Sequence, residues 1–97
     1  MPNGSQELSP DGLMPGMATD AQLQQLHNAT GKDVDILFCQ LMLRHHLGGI
    51  HMIDGVLQES HNSTVRALAQ TMKNNQQADV ATLQRLLTDL GAKPLGS

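Results

Sequence analysis

The sequence predicts an all-α fold in which a short N-terminal helix precedes a long antiparallel helical hairpin. Apolar residues recur at intervals of three and four through two long segments, which is the spacing of an amphipathic helix. No segment shows the sustained alternation of apolar and polar residues that is typical of a strand. Clusters of glycine, proline, serine and asparagine separate the helical segments and indicate the turns.

The first helix follows a segment, residues 1–18, in which proline and glycine alternate with small polar residues. Such a segment has little apolar surface to offset the entropy of ordering, so we expect a flexible tail. Thr19 and Gln22 have the spacing of a capping box, and Gly31 has the position of a C-terminal stop. The sequence therefore predicts a short helix between Thr19 and Gly31.

The hairpin is predicted from the caps that follow. Asp33 is the candidate N-cap of a second helix that runs from about residue 34 to residue 59. Residues 60–63 form the turn, and a third helix runs from about residue 64 to residue 90, where Gly91 and Pro94 end it. At 1.5 Å per residue, each long helix spans about 40 Å. The helical domain thus covers residues 19–91, and residues 92–97 form a C-terminal tail.

Apolar and histidine side chains cluster on one side of the second helix when each residue is advanced by about 100°. The members of this side are Phe38, Cys39, Met42, His45, His46, Gly49, Met52, Ile53, Val56 and Leu57. His51 falls on the opposite side, and we therefore expect it in solvent.

The apolar side spans about 160° when Leu41 is included, which is wider than a single partner helix covers. The third helix carries a second apolar stripe with Gln76 in its middle. Two hairpins packed together would bury both stripes. We therefore expect a four-helix bundle, formed by a homodimer or by a second homologous hairpin in a longer parent.

Composition excludes several classes of function. Six basic against nine acidic residues give a net charge of −3, so the chain lacks the basic surface that nucleic acid or an anionic membrane would require. The single cysteine, Cys39, excludes an internal disulfide and a cysteine-based zinc finger within one chain. No run approaches the ~18 apolar residues of a membrane span, so we expect no membrane contact by this segment.

A candidate metal site lies on the apolar side of the second helix. Met42, His45, His46 and Met52 follow one another at i, i+3, i+4 and i+10, which aligns them over three turns of one surface. Thioether sulfur and neutral imidazole suit soft or borderline ions, above all Cu(I). Cys39 lies one turn before Met42, close enough to add a thiolate. Close approach of a neighbouring backbone, or room for a ligand, would account for a glycine at position 49 within this stripe.

These residues carry a resemblance to a known family. The run from position 42 to position 52 resembles the Met-x-x-His-His-x-x-x-Ile-x-Met signature of the bacterial domain of unknown function (DUF) 305 family. Upstream, Met14-Pro15-Gly16-Met17 is similar to the family's Met-Pro-Gly-Met linker, and downstream Gln76 and Asp79 resemble its Gln-x-x-Glu pattern. The resemblance covers about residues 14–90.

The resemblance implies a ferritin-like helical fold, export from a bacterial cell and, in some members, binding of copper or silver. It implies Met42, His45, His46 and Met52 as the site, with Gln76 and Asp79 as facing polar partners. Asp79 stands where Glu is common, which shortens the reach of that carboxylate. As a further candidate, a flexible segment containing Met14 and Met17 would close over a soft ion.

Three function classes are consistent with these patterns. The first is a protein that binds Cu(I) or Ag(I) for sequestration or handling. The alternative is a purely structural or partner-binding helical module whose core histidines are hydrogen bonded and hold no metal. The third class, an enzyme, is not favoured, because a ferritin-like di-iron oxidase needs Glu-x-x-His repeats and this chain has none. We therefore expect no enzymatic activity.

Overall fold

A computed structural model describes residues 16–95 of the chain. The predictions for residues 1–15, which include Met14 and most of the proposed tail, and for residues 96–97 lie outside the described residues. The described part contains three helices, α1 (Asp20–Asn28), α2 (Lys32–Glu59) and α3 (Ser63–Asp89), and no strand. The predicted all-α fold is confirmed. None of these helices combines the length and hydropathy that crossing a bilayer would require.

The start of α1 agrees with the sequence prediction, but its end does not. The Thr19 hydroxyl accepts from the Gln22 N–H, and the Gln22 side chain accepts from the Thr19 N–H at 2.9 Å, which is the predicted capping box. The helix ends at Asn28, and Ala29 is already extended. The prediction that Gly31 ends α1 is therefore wrong. With φ of 62°, Gly31 forms instead the connection into α2.

The second helix begins two residues earlier than predicted. Gly31 is the N-cap and supplies no side-chain hydrogen bond, whereas Asp33, the predicted cap, lies within the first turn. The N–H of Asp33 donates to the Thr30 carbonyl and that of Val34 to the Gly31 carbonyl, so the turn closes without a side-chain cap. Asp33 and Asp35 still favour this end of the helix, since carboxylates interact well with the positive end of the helix dipole.

Both ends of α3 are defined by capping residues. Asn62 accepts from the Val65 N–H at 2.9 Å and so caps the N-terminus. The helix begins at Ser63, one residue before the predicted start. At the other end Gly91 has φ of 74°, and the N–H of Ala92 donates to the Leu87 carbonyl at 2.9 Å. This is a Schellman motif, which confirms the predicted role of Gly91.

The core lies between α2 and α3. Its main cluster is formed by Cys39 and Leu43 from α2 and by Leu83 and Leu87 from α3. Three contacts fix the register of the antiparallel pair: His46 faces Asp79, Gly49 faces Gln76, and the Lys73 ammonium contacts the Asp54 carboxylate at 2.6 Å. The numbers of two residues that face each other on α2 and α3 therefore add up to about 125.

One side of the hairpin carries large apolar side chains that nothing in the described chain covers. We call this surface the open face. It is formed by Phe38, Met52 and Val56 on α2 and by Leu68, Met72 and Leu86 on α3. The half-exposed Phe38 is the only aromatic residue of the chain. As predicted, a single hairpin leaves apolar surface in contact with water, and the four-helix bundle stays a prediction.

A substitution of Gly55 tests how α2 is stabilised. A Cβ added at this position would meet nothing within 4 Å, and glycine inside a helix costs about 1 kcal/mol relative to alanine. Gly55→Ala is therefore expected to raise the free energy of unfolding by about 0.5–1 kcal/mol in urea titrations. The contrasting variant is Gly16→Ala, where φ is 87° and the added Cβ would lie 2.7 Å from the Arg44 carbonyl oxygen. A loss of stability in Gly55→Ala would contradict this account.

Candidate functional site

His46 occupies the centre of the candidate site, between α2 and α3. Its side chain is 15% exposed. The Nδ1 atom lies 2.8 Å from the carbonyl oxygen of Met42, one turn earlier on the same helix. The Nε2 atom lies 3.3 Å from Oδ2 of Asp79 on α3. The shorter carboxylate at position 79 therefore reaches the histidine, and it does so from a side chain that is 63% exposed.

These two contacts constrain the protonation of the His46 ring. A carbonyl oxygen can only accept a hydrogen bond, so Nδ1 carries a proton and donates it to Met42. In the neutral ring, Nε2 then carries the lone pair, and this lone pair faces a carboxylate oxygen. Such a contact is favourable only when Nε2 is also protonated or when a cation lies against both atoms. The geometry therefore makes Nε2 and Asp79 a position that attracts positive charge.

His45 lies beside His46 but differs from it in exposure. Its side chain is exposed, and the two ring centroids are 6.2 Å apart with their planes at 78°. Gly16 packs against the backbone of α2 at this point: a Cβ at Gly16 would lie 3.2 Å from the Cα of His45. The exposed Met17 follows Gly16 directly. The linker therefore passes next to the histidine pair.

The structure brings the backbone carbonyl of Met42 to His46, whereas Met52 lies away from both histidines. Met42 is partly buried against the core cluster, and its carbonyl holds His46. Met52 is 56% exposed and lies seven residues beyond His45, which is roughly 10 Å along the helix axis. The four predicted donors therefore do not converge within one chain. Among residues 16–95, no group of three or more His, Cys, Asp and Glu side chains is arranged to hold a metal ion.

Gln76 explains the glycine at position 49. A Cβ on Gly49 would lie 2.5 Å from Oε1 of Gln76. A side chain of α3, rather than the neighbouring backbone or the ligand that the sequence suggested, therefore occupies the space beside this glycine. Gln76 is partly buried and lies one turn before Asp79, so on α3 Asp79 contacts His46 while Gln76 fills the space beside Gly49.

Cys39 lies in the core rather than on an accessible surface. It packs with Leu43, Leu83 and Leu87 and is 6% exposed. Burial raises the pKa of the Cys39 thiol, and the negative charge of Asp35 raises it further. A thiol with a raised pKa is a poor source of the thiolate that binds metal ions.

The predicted orientation of the remaining histidine on α2 is confirmed, because His51 is exposed. Sequence reasoning missed two polar contacts that fix the surroundings of the site. Arg44 donates to Oε1 of Gln22 and so ties α1 to α2, and Lys73 pairs with Asp54 across the hairpin. Periodicity places all four side chains on polar positions but carries no information about which of them meet.

Comparison with known proteins identifies the family. The chain matches the family described as domain of unknown function (DUF305) over residues 2–87. The chain belongs to the DUF305 family. A crystal structure of a candidate secreted protein, DUF305 from Streptomyces coelicolor, is similar to this chain with a TM-score of 0.80 and 36% sequence identity. The alignment covers 87% of this chain and 52% of that one, so the chain spans about half the length of this relative. No curated protein matches the chain.

Membership of the DUF305 family confirms the resemblance found in the sequence and agrees with the helical fold. The description of the family assigns no activity, and that of the Streptomyces protein adds only that it is a candidate for secretion.

Proposed function

We propose that this DUF305 protein binds a soft metal ion, Cu(I) or Ag(I), and sequesters it or passes it on. The donors are His45 and His46 together with Met42 and Met52. One observation carries the proposal: Nδ1 of His46 lies 2.8 Å from the Met42 carbonyl oxygen, which can only accept, so the neutral ring has its lone pair on Nε2. Histidines that bind metals usually donate their other ring N–H to a carbonyl or carboxylate in this way, which fixes the tautomer and the ring orientation.

The surroundings of Nε2 support the same proposal. The carboxylate of Asp79 lies 3.3 Å away and attracts positive charge to this position. Imidazole and thioether are suited to copper and silver, whereas Mg²⁺ and Ca²⁺ require a cage of oxygen ligands. The residues present therefore fit a soft ion better than a hard one. Asp79 would lie beside the bound ion, and Gln76, which packs against Gly49, lies one turn from it on α3.

The proposal extends to assembly and location. We propose that two hairpins form a ferritin-like four-helix bundle as a homodimer, because the open face needs a cover. We also propose that the protein is exported, since the related Streptomyces chain is described as a candidate secreted protein. Binding rather than catalysis is the proposed role, because the chain lacks the Glu-x-x-His repeats of di-iron enzymes.

A structural role for the histidines is the second candidate, and one observation favours it. Both ring nitrogens of His46 already have partners within the chain, the Met42 carbonyl and the Asp79 carboxylate. A protonated His46 would satisfy both and would tie α2 to α3 without any metal. This candidate predicts that the histidine pair contributes to stability and that soft ions do not bind.

Titration with Ag(I) tests the proposal, because this ion does not change its redox state during the measurement. The protein is purified without metal under reducing conditions, and Ag(I) affinity is measured by calorimetry in competition with a ligand of known affinity. The double variant His45→Ala/His46→Ala is expected to lose at least 100-fold in affinity. His51→Ala is the matched control, since it removes an exposed histidine from the same helix, and its affinity should stay within about twofold.

Affinity in the double variant equal to that of the wild type would overturn the proposed site. Absence of Ag(I) binding by the wild type, together with a lower melting temperature of the double variant, would favour the structural candidate.

A further inference from the structure

The open face consists of one strip of residues on each of the two long helices. On α2, its members and His45 fall within about 40° of one another when residues are advanced by 100°. On α3, its members and Asp79 also fall within about 40°. Because the helices are antiparallel, both strips lie on the same side of the hairpin. Polar side chains, among them His45 and Asp79, lie between the apolar members of this surface.

Positions along the face follow from the register of the hairpin. Gly49 and Gln76 face each other near its middle. His45 and Met52 lie at nearly equal distances on either side of this level along α2. On α3 the corresponding pair is Leu68 and Leu86, whose midpoint is residue 77.

We propose that two copies of this chain dock through the open face about a two-fold axis that crosses it at the level of Gly49. The axis runs across the helices, so α2 lies antiparallel to α2 of the partner and α3 antiparallel to α3 of the partner. Leu68 then meets the partner's Leu86, and Leu86 meets the partner's Leu68. Every adjacent pair of helices in the resulting bundle is antiparallel.

The same rotation completes the metal site, an inference that rests on the proposed function. Met52 is roughly 10 Å from His45 along its own helix. The two-fold axis exchanges these levels, so the partner's Met52 lies opposite His45. Each site then combines Met42, His45 and His46 of one copy with the partner's Met52, and each dimer holds two sites.

The rotation makes part of this face complementary to the same face of a second copy. Apolar Leu68, 60% exposed, is covered by an apolar residue, and Asp79 falls opposite the partner's Asn75 rather than an apolar side chain. A docking that placed His45 or Asp79 against leucine would bury polar groups without partners. The DUF305 relative is also about twice as long as the region that this chain matches, which leaves room for a second hairpin of the same size.

A charge exchange tests the docking. Leu68→Glu and Leu86→Lys each place a charge in the interface, so each variant alone is expected to sediment as a monomer of about 10.5 kDa. Mixed at equal concentration, they are expected to form a dimer, because the introduced glutamate of one copy meets the introduced lysine of the other while the remaining leucines pair as in the wild type. Gln77→Lys, on the other side of α3, is the control and should not restore a dimer when mixed with Leu68→Glu. A monomeric wild type, or a mixture that stays monomeric, would overturn the docking.

The same mixture tests whether the site is shared. His45→Ala is added to the Leu68→Glu chain and Met52→Ala to the Leu86→Lys chain. A shared site keeps one intact Ag(I) site per dimer, formed by His45 of the second chain and the partner's Met52. With both substitutions in one chain, a shared arrangement keeps none. If each site lies within a single chain, the numbers are reversed: the first mixture keeps no intact site, and the second keeps one.

The numbers of Ag(I) ions bound distinguish failure of the shared site from failure of the proposed function. The reverse pattern would overturn the shared site while leaving the proposed function in place. Failure of the wild-type dimer to bind Ag(I) would overturn the proposed function and the shared site together, whereas the sedimentation results would still decide the docking.

Discussion

Replacing Leu87 with alanine is expected to lower the free energy of unfolding by about 2–5 kcal/mol, the range for large-to-small substitutions in a core. Leu87 is 1% exposed and packs with Cys39, Leu43 and Leu83. The cavity would lie in the middle of the main cluster, where two long helices leave little room to collapse around it. Because domains of this size are stable by only about 5–15 kcal/mol, this one change is expected to remove a large part of the total.

The neighbouring residue supplies the control. Leu86 is adjacent on α3 but 42% exposed, so Leu86→Ala is expected to lose less than half as much as Leu87→Ala. Urea unfolding followed by circular dichroism measures both, at a protein concentration low enough to dissociate any dimer. Equal losses in the two variants would show that the core is not centred where α2 and α3 meet at Leu87.

Local signals predicted most of the helix ends. The Thr19 capping box and the stop at Gly91 need only residues within one turn, so the sequence is sufficient to recognise them. The predicted start of α2 was wrong because the N-cap is Gly31 rather than Asp33. Gly31 adopts a positive φ that sends the chain directly into the helix, and no side-chain cap is then required.

The candidate site was predicted only in part, because a helical wheel reports direction but not position along the axis. Direction alone separated His46, which lies between the helices, from His51, which is exposed. It also grouped Met52 with the histidines, although the two positions are about two turns apart. The contact of Asp79 with His46 depends on the register of the hairpin, which is fixed by pairs such as Lys73 and Asp54.

The predicted apolar side of α2 is divided by the structure into two parts with different consequences. Cys39 and Ile53 are buried, whereas Phe38 and Val56 stay exposed on the open face. The excess width that the sequence predicted is therefore a surface that residues 16–95 of one chain do not cover. This is why the assembly and the metal site are linked in our proposals.

The buried thiol of Cys39 makes stability depend on pH in the alkaline range. Burial, and secondarily Asp35, raise the pKa of this thiol in the folded state. In the unfolded chain the thiol ionises near its ordinary pKa of about 8.5. The stabilisation is therefore complete below that value and is lost as pH rises towards the folded pKa, since the unfolded state then releases its proton first. Cys39→Ala is expected to remove this part of the pH dependence.

Chemical modification of Cys39 is expected to be at least about 100-fold slower in the folded protein than in the chain unfolded in urea at the same pH. The reagent attacks the thiolate, and in the folded state the thiol is both protonated and enclosed by Leu43, Leu83 and Leu87. Reaction then requires an opening of the hairpin, so the rate should rise in Leu87→Ala, which loosens the same cluster, and much less in Leu86→Ala. The measurement follows the release of a chromophoric thiol at pH 8. A folded chain that reacts as fast as the unfolded one would show that Cys39 is accessible, and it would return this residue to the set of metal donors.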